Sequence, residues 1–198
     1  MMDTSFDPGS TDLREAKRLL RKTLREKRKM LSLETLSETD RLICENLIRH
    51  EAFQKARCIF CYIGVGEEIR TERILEAAWA AGKKVTVPRC EPDGWMTARR
   101  ISSFSEVKTG FYGLMEPDDS APIITPEEID LAVVPCLACD SQKKRIGQGG
   151  GYYDRFLPGR SFVALALCRR DFLMDELPCD DFDESVDGVI TEKVGEVL

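Results

Sequence analysis

Histidine is nearly absent from this sequence, in which 198 residues include only His50. A serine hydrolase needs a histidine between a nucleophile and an acid, and the chain also lacks the nucleophile elbow that presents such a serine. A Ser-His-Asp hydrolase is therefore excluded. We interpret His50, near the end of a predicted helix, as a surface or capping residue.

Long apolar runs are also missing. No stretch approaches the roughly 20 apolar residues that cross a bilayer. The first twelve residues are polar and acidic, where a signal peptide needs a basic start and an apolar run. We expect a cytoplasmic protein with no membrane partner, in which residues 1–12 form a disordered tail. Internal repeats and linkers are absent as well, so residues 13–198 are expected to form one domain.

The eight cysteines are expected to be reduced thiols, because disulfides are scarce in the cytosol. Two C-x-x-C pairs, Cys58 with Cys61 and Cys136 with Cys139, each have the spacing of half a zinc site. These pairs lie about 75 residues apart, whereas paired zinc motifs usually lie about 15–20 apart. Both pairs also lie in or beside apolar strand-like runs, where cysteine acts as a small hydrophobic residue. The sequence therefore does not favour a structural zinc.

The net charge of −6 is unevenly distributed, because residues 14–29 are strongly basic and residues 171–187 are acidic. A basic helix on an acidic protein either binds RNA or is a solvated face. The negative net charge and the lack of aromatic residues among the basic ones disfavour a nucleic-acid partner. We assign one or two of these cations to the phosphates of a nucleotide and the rest to solvent.

Helical and strand-like patterns alternate along the chain. Apolar spacing predicts a first helix capped by Thr11 or Asp12 and a second capped by Ser37. Further along, the pattern predicts strands at 58–63, 84–88, 130–135, 162–167 and 186–190, and helices at 71–81 and 152–157. The helix that ends at Gly82 joins two strands, which implies parallel pairing.

This order of elements predicts an α/β protein: a single three-layer α/β/α domain with a mostly parallel central sheet. Ligands in such sheets lie beyond the carboxyl ends of the strands. The region from residue 95 to residue 117 is less regular, and we expect part of it, around GFYGLMEP, to line a ligand site.

The segment RIGQGGGYYDR, from Arg145 to Arg155, has four glycines within five positions. Glycine permits positive φ and leaves no Cβ between its amide and an anion. The run also leads into a predicted helix, whose N-terminus favours negative charge. The motif lacks the GK[ST] ending of a P-loop and the spacing of a dinucleotide-binding turn. From these residues alone we predict a polyphosphate site, with Asp154 placed to bind Mg²⁺.

The same run, preceded by the strand-like DLAVVP and by Asp140, closely resembles the signature of the 5-formyltetrahydrofolate cyclo-ligase family, also called 5,10-methenyltetrahydrofolate synthetases. The resemblance extends from about Leu13 to Glu192, and its other segments, in the family's order, are KRLLR at 17–21, EEIRT at 67–71, the EP pair at 116–117 and VDGVITE at 186–192. It implies a NagB/RpiA/CoA-transferase-like fold.

The resemblance also implies the reaction. ATP, with Mg²⁺ as cofactor, phosphorylates the formyl oxygen of 5-formyltetrahydrofolate to an iminophosphate. Attack by N10 then gives 5,10-methenyltetrahydrofolate, ADP and phosphate. No covalent enzyme nucleophile and no zinc are implied, and the expected partners are these small molecules. A monomer is expected.

Site residues follow from the matching positions. Arg145, Tyr152 and Asp154 are implied to be catalytic, and Asp154 and Asp187 to hold Mg²⁺. The implied ATP contacts are Lys17, Arg18, Leu19, Leu20, Arg21, Arg145, Ile146, Gly147, Gln148, Gly149, Gly150, Gly151, Tyr152 and Tyr153. The implied folate contacts are Ile63, Glu68, Met96, Gln148, Gly149, Gly150, Gly151 and Tyr152.

Some positions depart from the family's pattern. Arg70 stands where an acidic residue is common, Cys136 where a glycine follows the strand-end proline, and Phe182 where histidine is frequent. Because Arg70 reverses the charge beside the expected pterin site, two alternatives stay open. One is a divergent ATP-dependent ligase or kinase acting on another small molecule, and the other is a non-catalytic folate or phosphometabolite sensor.

Overall fold

A computed structural model describes residues 8–110 and 113–193. Its helices are α1 (Pro8–Lys29), α2 (Leu33–Arg49), α3 (Glu51–Lys55), α4 (Glu72–Ala80) and α5 (Tyr152–Phe156). Its strands are β1 (Cys58–Cys61), β2 (Lys84–Cys90), β3 (Met96–Ile101), β4 (Val107–Thr109), β5 (Met115–Pro117), β6 (Ile123–Ile124), β7 (Leu131–Pro135), β8 (Ala138–Asp140), β9 (Arg145–Ile146), β10 (Val163–Leu167), β11 (Leu173–Met174) and β12 (Gly188–Ile190). Within these ranges, no helix has both the length and the apolar character that crossing a membrane requires.

Seven strands form the central sheet in the order β12-β10-β7-β1-β2-β3-β6. The strands from β12 to β2 pair in parallel, and β3 and β6 extend the sheet antiparallel at one edge. The unit β1–α4–β2 confirms the predicted parallel crossover, and Gly82 follows α4 with a φ of 70°. The mostly parallel sheet of the sequence-based prediction is confirmed.

Helices cover the central strands on both faces of the sheet. Successive side chains of a strand point to opposite faces, so each strand contributes to two cores. Ile59 and Val133 belong to one core cluster, with apolar residues of α2, α3 and α4. Phe60 and Val134 belong to the other, with Leu24 of α1 and with Tyr153 and Phe156 of α5 packed against it. These two cores are the interfaces of the predicted three-layer α/β/α arrangement.

Two helix starts differ from the prediction. Helix α1 begins at Pro8, ahead of Thr11 and Asp12, because proline is compatible with the first turn, where its missing N–H costs no hydrogen bond. Residues 8–12, assigned to a tail, are therefore helical, and residues 1–7 lie outside the described residues. Helix α2 is capped by Ser32, whose hydroxyl accepts from the Thr35 amide, whereas Ser37 lies inside the helix.

Other element assignments hold. His50 ends α2 and caps α3, since its Nδ1 accepts a hydrogen bond from the Ala52 amide, so the capping role is confirmed. The strand predicted at 58–63 ends at Cys61, and Tyr62 and Ile63 continue beyond the carboxyl end of β1.

A small sheet in the order β11-β8-β9 carries the chain from the end of β7 back to the glycine-rich segment. Strands β8 and β9 pair antiparallel, with Cys139 opposite Arg145. The buried carboxylate of Asp140 accepts from the amides of Gln142, Lys144 and Leu177. These bonds position the hairpin that delivers Arg145 to the carboxyl edge of the main sheet.

Candidate active site

Residues 147–151, the glycine loop, connect β9 to α5. Gly149 and Gly151 have φ values of 104° and 68°, which favour glycine at both positions. Within the described part of the chain, no amide of the loop donates a hydrogen bond to another protein group. A row of such free amides is the feature that an anion-binding loop requires.

Arginines hold the carbonyl groups of the glycine loop. Arg21 Nε donates to Gly147 O at 3.1 Å, and Arg155 Nη2 donates to Gly150 O at 2.7 Å. Arg25 donates to Gln148 O at 2.8 Å and to Gln148 Oε1 at 3.0 Å. With the carbonyl dipoles bound to cations, the environment of the loop favours negative charge.

Arg145 lies beneath the loop with only 3% of its side chain exposed, and its Nη2 lies 2.7 Å from Asp154 Oδ1. Its guanidinium carbon also lies 5.4 Å from the centre of the Tyr153 ring. Among the described residues, Arg145 Nε and the Tyr153 hydroxyl are buried polar groups without a hydrogen-bond partner. Such groups are expected to find partners in a ligand.

A cavity of about 210 Å³ opens beside the glycine loop. It is lined by residues at or just after the carboxyl ends of β1, β2 and β7, as expected for an α/β sheet. Predicted residues that the structure brings together there are Arg21, Ile63, Glu68, Met96, Arg145, Ile146, Gly147, Gln148, Gly149, Gly150, Gly151, Tyr152, Tyr153 and Asp154. Leu114 and Met115 of the irregular region also line it, as expected for that region.

Glu68 lies in the turn after β1 and lines the cavity. Its Oε2 accepts from the Val65 amide at 3.2 Å, and its Oε1 lies 3.5 Å from Gln148 Nε2. Burial raises the pKa of the Glu68 carboxyl above its usual value, against these two hydrogen bonds. A half-buried carboxylate in an apolar cavity is suited to bind a ligand with paired N–H donors.

Lys17, a predicted ATP contact, does not line the cavity. Its ammonium is buried and binds Asp180 at 2.7 Å and also Asp183. Burial disfavours the ammonium, but the two carboxylates outweigh it and raise the pKa of Lys17. Because these bonds satisfy the charge, Lys17 can reach a phosphate only if the segment 180–183 gives it up.

The rest of the predicted helical segment is also directed elsewhere. Arg18 is exposed and pairs with Glu15 on its own helix, and the side chain of Leu19 faces solvent. Leu20 is half-buried and packs against the apolar core. Of residues 17–21, only Arg21 lines the cavity.

Asp187 was paired with Asp154 in the predicted metal site, yet it lines neither of the two cavities at the loop. Its Oδ2 accepts from the Ala164 amide at 2.7 Å, and its Oδ1 lies 3.4 Å from Arg160 Nη2. Ala164 lies in the first half of β10, so these bonds hold Asp187 near the amino ends of β10 and β12.

A second, more open cavity of about 410 Å³ lies on the other side of Asp154. Its lining includes Asp180, Asp181, Phe182, Asp183 and Glu184. Asp154 and Asp183 line both cavities. Carboxylate oxygens are the ligands that Mg²⁺ prefers, so this junction has the donor chemistry that the ion needs.

Sequence reasoning missed several residues of the site. Arg25 was assigned to solvent with the other basic residues, although its spacing of four from Arg21 places both on one helix face. Tyr62, Pro88 and Cys90 also line the cavity, and their strand-end positions were the available signal. Arg70, by contrast, does not line it. Its guanidinium donates to Gly64 O at 3.2 Å and lies 3.6 Å from Glu72.

Comparisons with known proteins identify the family of this chain. The sequence model of the 5-formyltetrahydrofolate cyclo-ligase family matches residues 13–192. A mouse 5-formyltetrahydrofolate cyclo-ligase is 27% identical, covering 93% of this chain and 97% of the relative. A protein of that name from Mycolicibacterium smegmatis is 31% identical over 70% of this chain and 75% of the relative.

A solved structure gives the same result. The Aquifex aeolicus 5,10-methenyltetrahydrofolate synthetase superposes with a TM-score of 0.80 at 28% identity, covering 91% of both chains. The structure is that of an α/β protein with a mostly parallel sheet and a cavity beside the glycine loop. The chain belongs to the 5-formyltetrahydrofolate cyclo-ligase family.

Proposed function

We propose that this protein catalyses the ATP- and Mg²⁺-dependent cyclisation of 5-formyltetrahydrofolate to 5,10-methenyltetrahydrofolate, with release of ADP and phosphate. The observation that carries the proposal is the glycine loop, whose amides are free and which borders an apolar cavity containing Glu68. The loop would hold the phosphates of ATP, and the half-buried carboxylate beside it would hold the pterin. The two substrates would then be close enough to react.

Ring closure requires the formyl oxygen to leave as something better than hydroxide. Transfer of the γ-phosphoryl of ATP to that oxygen gives an iminophosphate, N10 attacks the activated carbon, and phosphate departs with the oxygen. The protein contributes positioning and stabilisation of the transferred charge, as in other phosphoryl transfers. No side chain has to form a covalent bond.

The described residues divide this work. The free amides of residues 147–151 and the buried guanidinium of Arg145 would hold phosphate oxygens. Glu68 would accept N–H donors of the pterin, with Ile63 and Met96 against the ring. Tyr152 directly follows the glycine loop and lines the cavity, so it would lie where the two substrates meet.

Asp154 is the proposed first carboxylate for Mg²⁺, which when bound would neutralise charge on the phosphates. For the second carboxylate, the sequence points to Asp187 and the geometry to Asp183. To identify the second carboxylate, ATP binding to Asp183→Asn and to Asp187→Asn is measured at increasing Mg²⁺ concentration. Only the variant that has lost a Mg²⁺ ligand should need a higher Mg²⁺ concentration to bind ATP.

Lys17 is proposed to contact ATP after leaving Asp180 and Asp183. A phosphate would replace two carboxylates around the same ammonium, so the exchange keeps the charge paired. We further propose that the protein acts as a monomer on small molecules, and in the cytoplasm, where its eight free cysteines suit a reducing compartment.

The direct test is incubation with 5-formyltetrahydrofolate, ATP and Mg²⁺ while the absorbance of the methenyl product is followed. We expect product only when all three are present, with one ADP per product. Product without ATP, or ADP release that is independent of the folate, would contradict the assignment. Calorimetry of ATP binding with and without Mg²⁺ tests the phosphate site independently of the folate.

A further inference from the structure

Three cysteines outside the proposed chemistry meet in the core on one side of the central sheet. Cys136, Cys139 and Cys168 are all buried, and their sulfur atoms lie within 4.8 Å of one another. Cys139 Sγ lies 3.4 Å from Cys136 Sγ. We call these residues the thiol cluster.

The fold itself brings the three thiols together. Strands β7 and β10 pair in parallel with Pro135 opposite Leu167, so Cys136 and Cys168 follow at adjacent strand ends. The chain then folds back into β8, which returns Cys139 to the same place. Because strand pairing sets these positions, the cluster exists without a ligand and requires little reorganisation to bind one.

We propose that the thiol cluster is a binding site for one thiophilic d¹⁰ cation, of the class of Zn²⁺ and Cu⁺, held by the three sulfur atoms. Thiolates select cations of this class over Mg²⁺ and Ca²⁺. With metal–sulfur bonds of about 2.3 Å, three ligands around one ion place their sulfur atoms about 3.8–4.0 Å apart. The Cys136 and Cys139 sulfur atoms are 3.4 Å apart and all three sulfur atoms lie within 4.8 Å of one another, so side-chain movements of under about 1 Å complete the site.

The surroundings favour the charge that such a site would carry. Three thiolates around a monovalent or divalent ion leave a net negative charge, and Arg28, itself buried, donates to Cys136 O at 2.5 Å and to Leu137 O at 3.0 Å. Hydrogen bonds from Cys139 and Cys168 lower the pKa of the Cys136 thiol, whereas the same contacts with Cys136 raise the pKa of the other two thiols. Arg28 Nε is buried and has no partner among the described residues.

Metal binding would displace the protons of the three thiols. The Cys136 thiol donates to Leu167 O at 3.2 Å and the Cys168 thiol to Arg169 O at 3.5 Å. Binding replaces the three S–H bonds with metal–sulfur bonds and releases three protons. Cys136 also lines the cavity beside the glycine loop, which gives an ion access to the core.

The test uses the whole reduced protein, stripped with a chelator in a phosphine reductant and then titrated with Zn²⁺ or, anaerobically, with Cu⁺. We expect one equivalent to bind, a higher melting temperature, and X-ray absorption that shows sulfur neighbours at about 2.3 Å. Saturation by zinc alone identifies a divalent site, and saturation by copper alone identifies a monovalent one. Uptake of neither ion overturns the proposal.

Matched variants locate the site. Cys139→Ala and Cys168→Ala should weaken binding by more than about 100-fold, beyond what loss of an outer-shell partner costs. Cys58→Ala is the control, because Cys58 is also buried and part of a C-x-x-C pair but lies outside the cluster. Unchanged binding in both cluster variants contradicts the proposal, as does a Cys136–Cys139 disulfide that forms while no metal binds. If a variant fails to fold, the sulfur neighbours in the wild-type spectrum decide.

Discussion

Glu68 shows at the residue scale how the fold prepares a group for a ligand at a cost to stability. Its carboxyl is half-buried and has a raised pKa because burial penalises the charged form. Below the ordinary pKa of glutamate, the group is neutral in both the folded and the unfolded state. Above the raised pKa it is charged in both, and the burial penalty falls on the folded state alone.

Glu68→Gln should therefore separate binding from stability. We expect the KM for 5-formyltetrahydrofolate to rise about 10–100-fold, since a charge-assisted hydrogen bond to the substrate is lost. At pH 7 the variant should melt at a higher temperature than the wild type, and the difference should vanish near pH 4. Glu67→Gln, an exposed neighbour, is the control for both assays. An unchanged KM would remove Glu68 from the folate site.

Asp154 has two roles in the structure, as partner of buried Arg145 and as proposed metal ligand. Asp154→Asn should lower kcat on the order of 100-fold or more, because the variant loses a carboxylate that would hold Mg²⁺, whose charge stabilises the transferred phosphoryl. It should also cost roughly 1–3 kcal/mol of unfolding free energy, since Arg145 keeps a hydrogen bond but loses its counter-charge.

Steady-state kinetics and urea unfolding measure these two effects. Asp171→Asn, an exposed carboxylate that lines neither cavity, serves as the control. A kcat equal to that of the wild type would show that Asp154 has only a structural role.

At the scale of elements, helix α1 gives its arginines different partners along its length. Arg21 and Arg25 contact the glycine loop, and Arg28 reaches the core beyond it. Arg18, nearer the start of the helix, is exposed and pairs with Glu15. The sequence assigns one or two of the basic residues to a nucleotide, but only the docking of the helix shows which of them meet the loop.

Arg21→Ala should weaken ATP binding by about 10–100-fold, since a charged hydrogen bond that holds Gly147 O is lost. Arg18→Ala removes the same charge from the same helix without touching the loop, so its affinity should match the wild type. Calorimetry with Mg²⁺ and ATP compares the two. Equal losses in both variants would mean that general electrostatics, rather than the contact to the loop, governs binding.

At the scale of the whole molecule, one buried ion pair ties distant segments together. Arg169, after β10, binds Asp40 Oδ1 at 2.5 Å and Glu67 O at 3.1 Å. The other oxygen of Asp40 accepts from the Arg70 amide at 3.1 Å. The pair thus fixes α2, the end of β10 and the turn that carries Glu68, although burial raises the pKa of Asp40 against the opposing effect of Arg169.

Asp40→Asn leaves the buried guanidinium of Arg169 without a counter-charge and should cost about 3–5 kcal/mol of unfolding free energy. Glu38→Gln is the control, since Glu38 lies in the same helix and pairs with Arg41 at the surface, and it should change stability by less than about 1 kcal/mol. Urea unfolding measures both. A similar loss of unfolding free energy in the two variants would contradict a structural role for the Asp40–Arg169 pair.

The sequence by itself determined the parallel core, the position of the glycine loop and most of the cavity's residues. Strand-length apolar runs, helical spacing and glycine at positive φ are local properties of the backbone. Only the tertiary structure decided that Lys17 is held by Asp180 and Asp183, that Asp187 bonds to β10, and that three cysteines converge. These contacts join segments far apart in the chain, and their partners are chosen by how helices and strands pack, which no local pattern encodes.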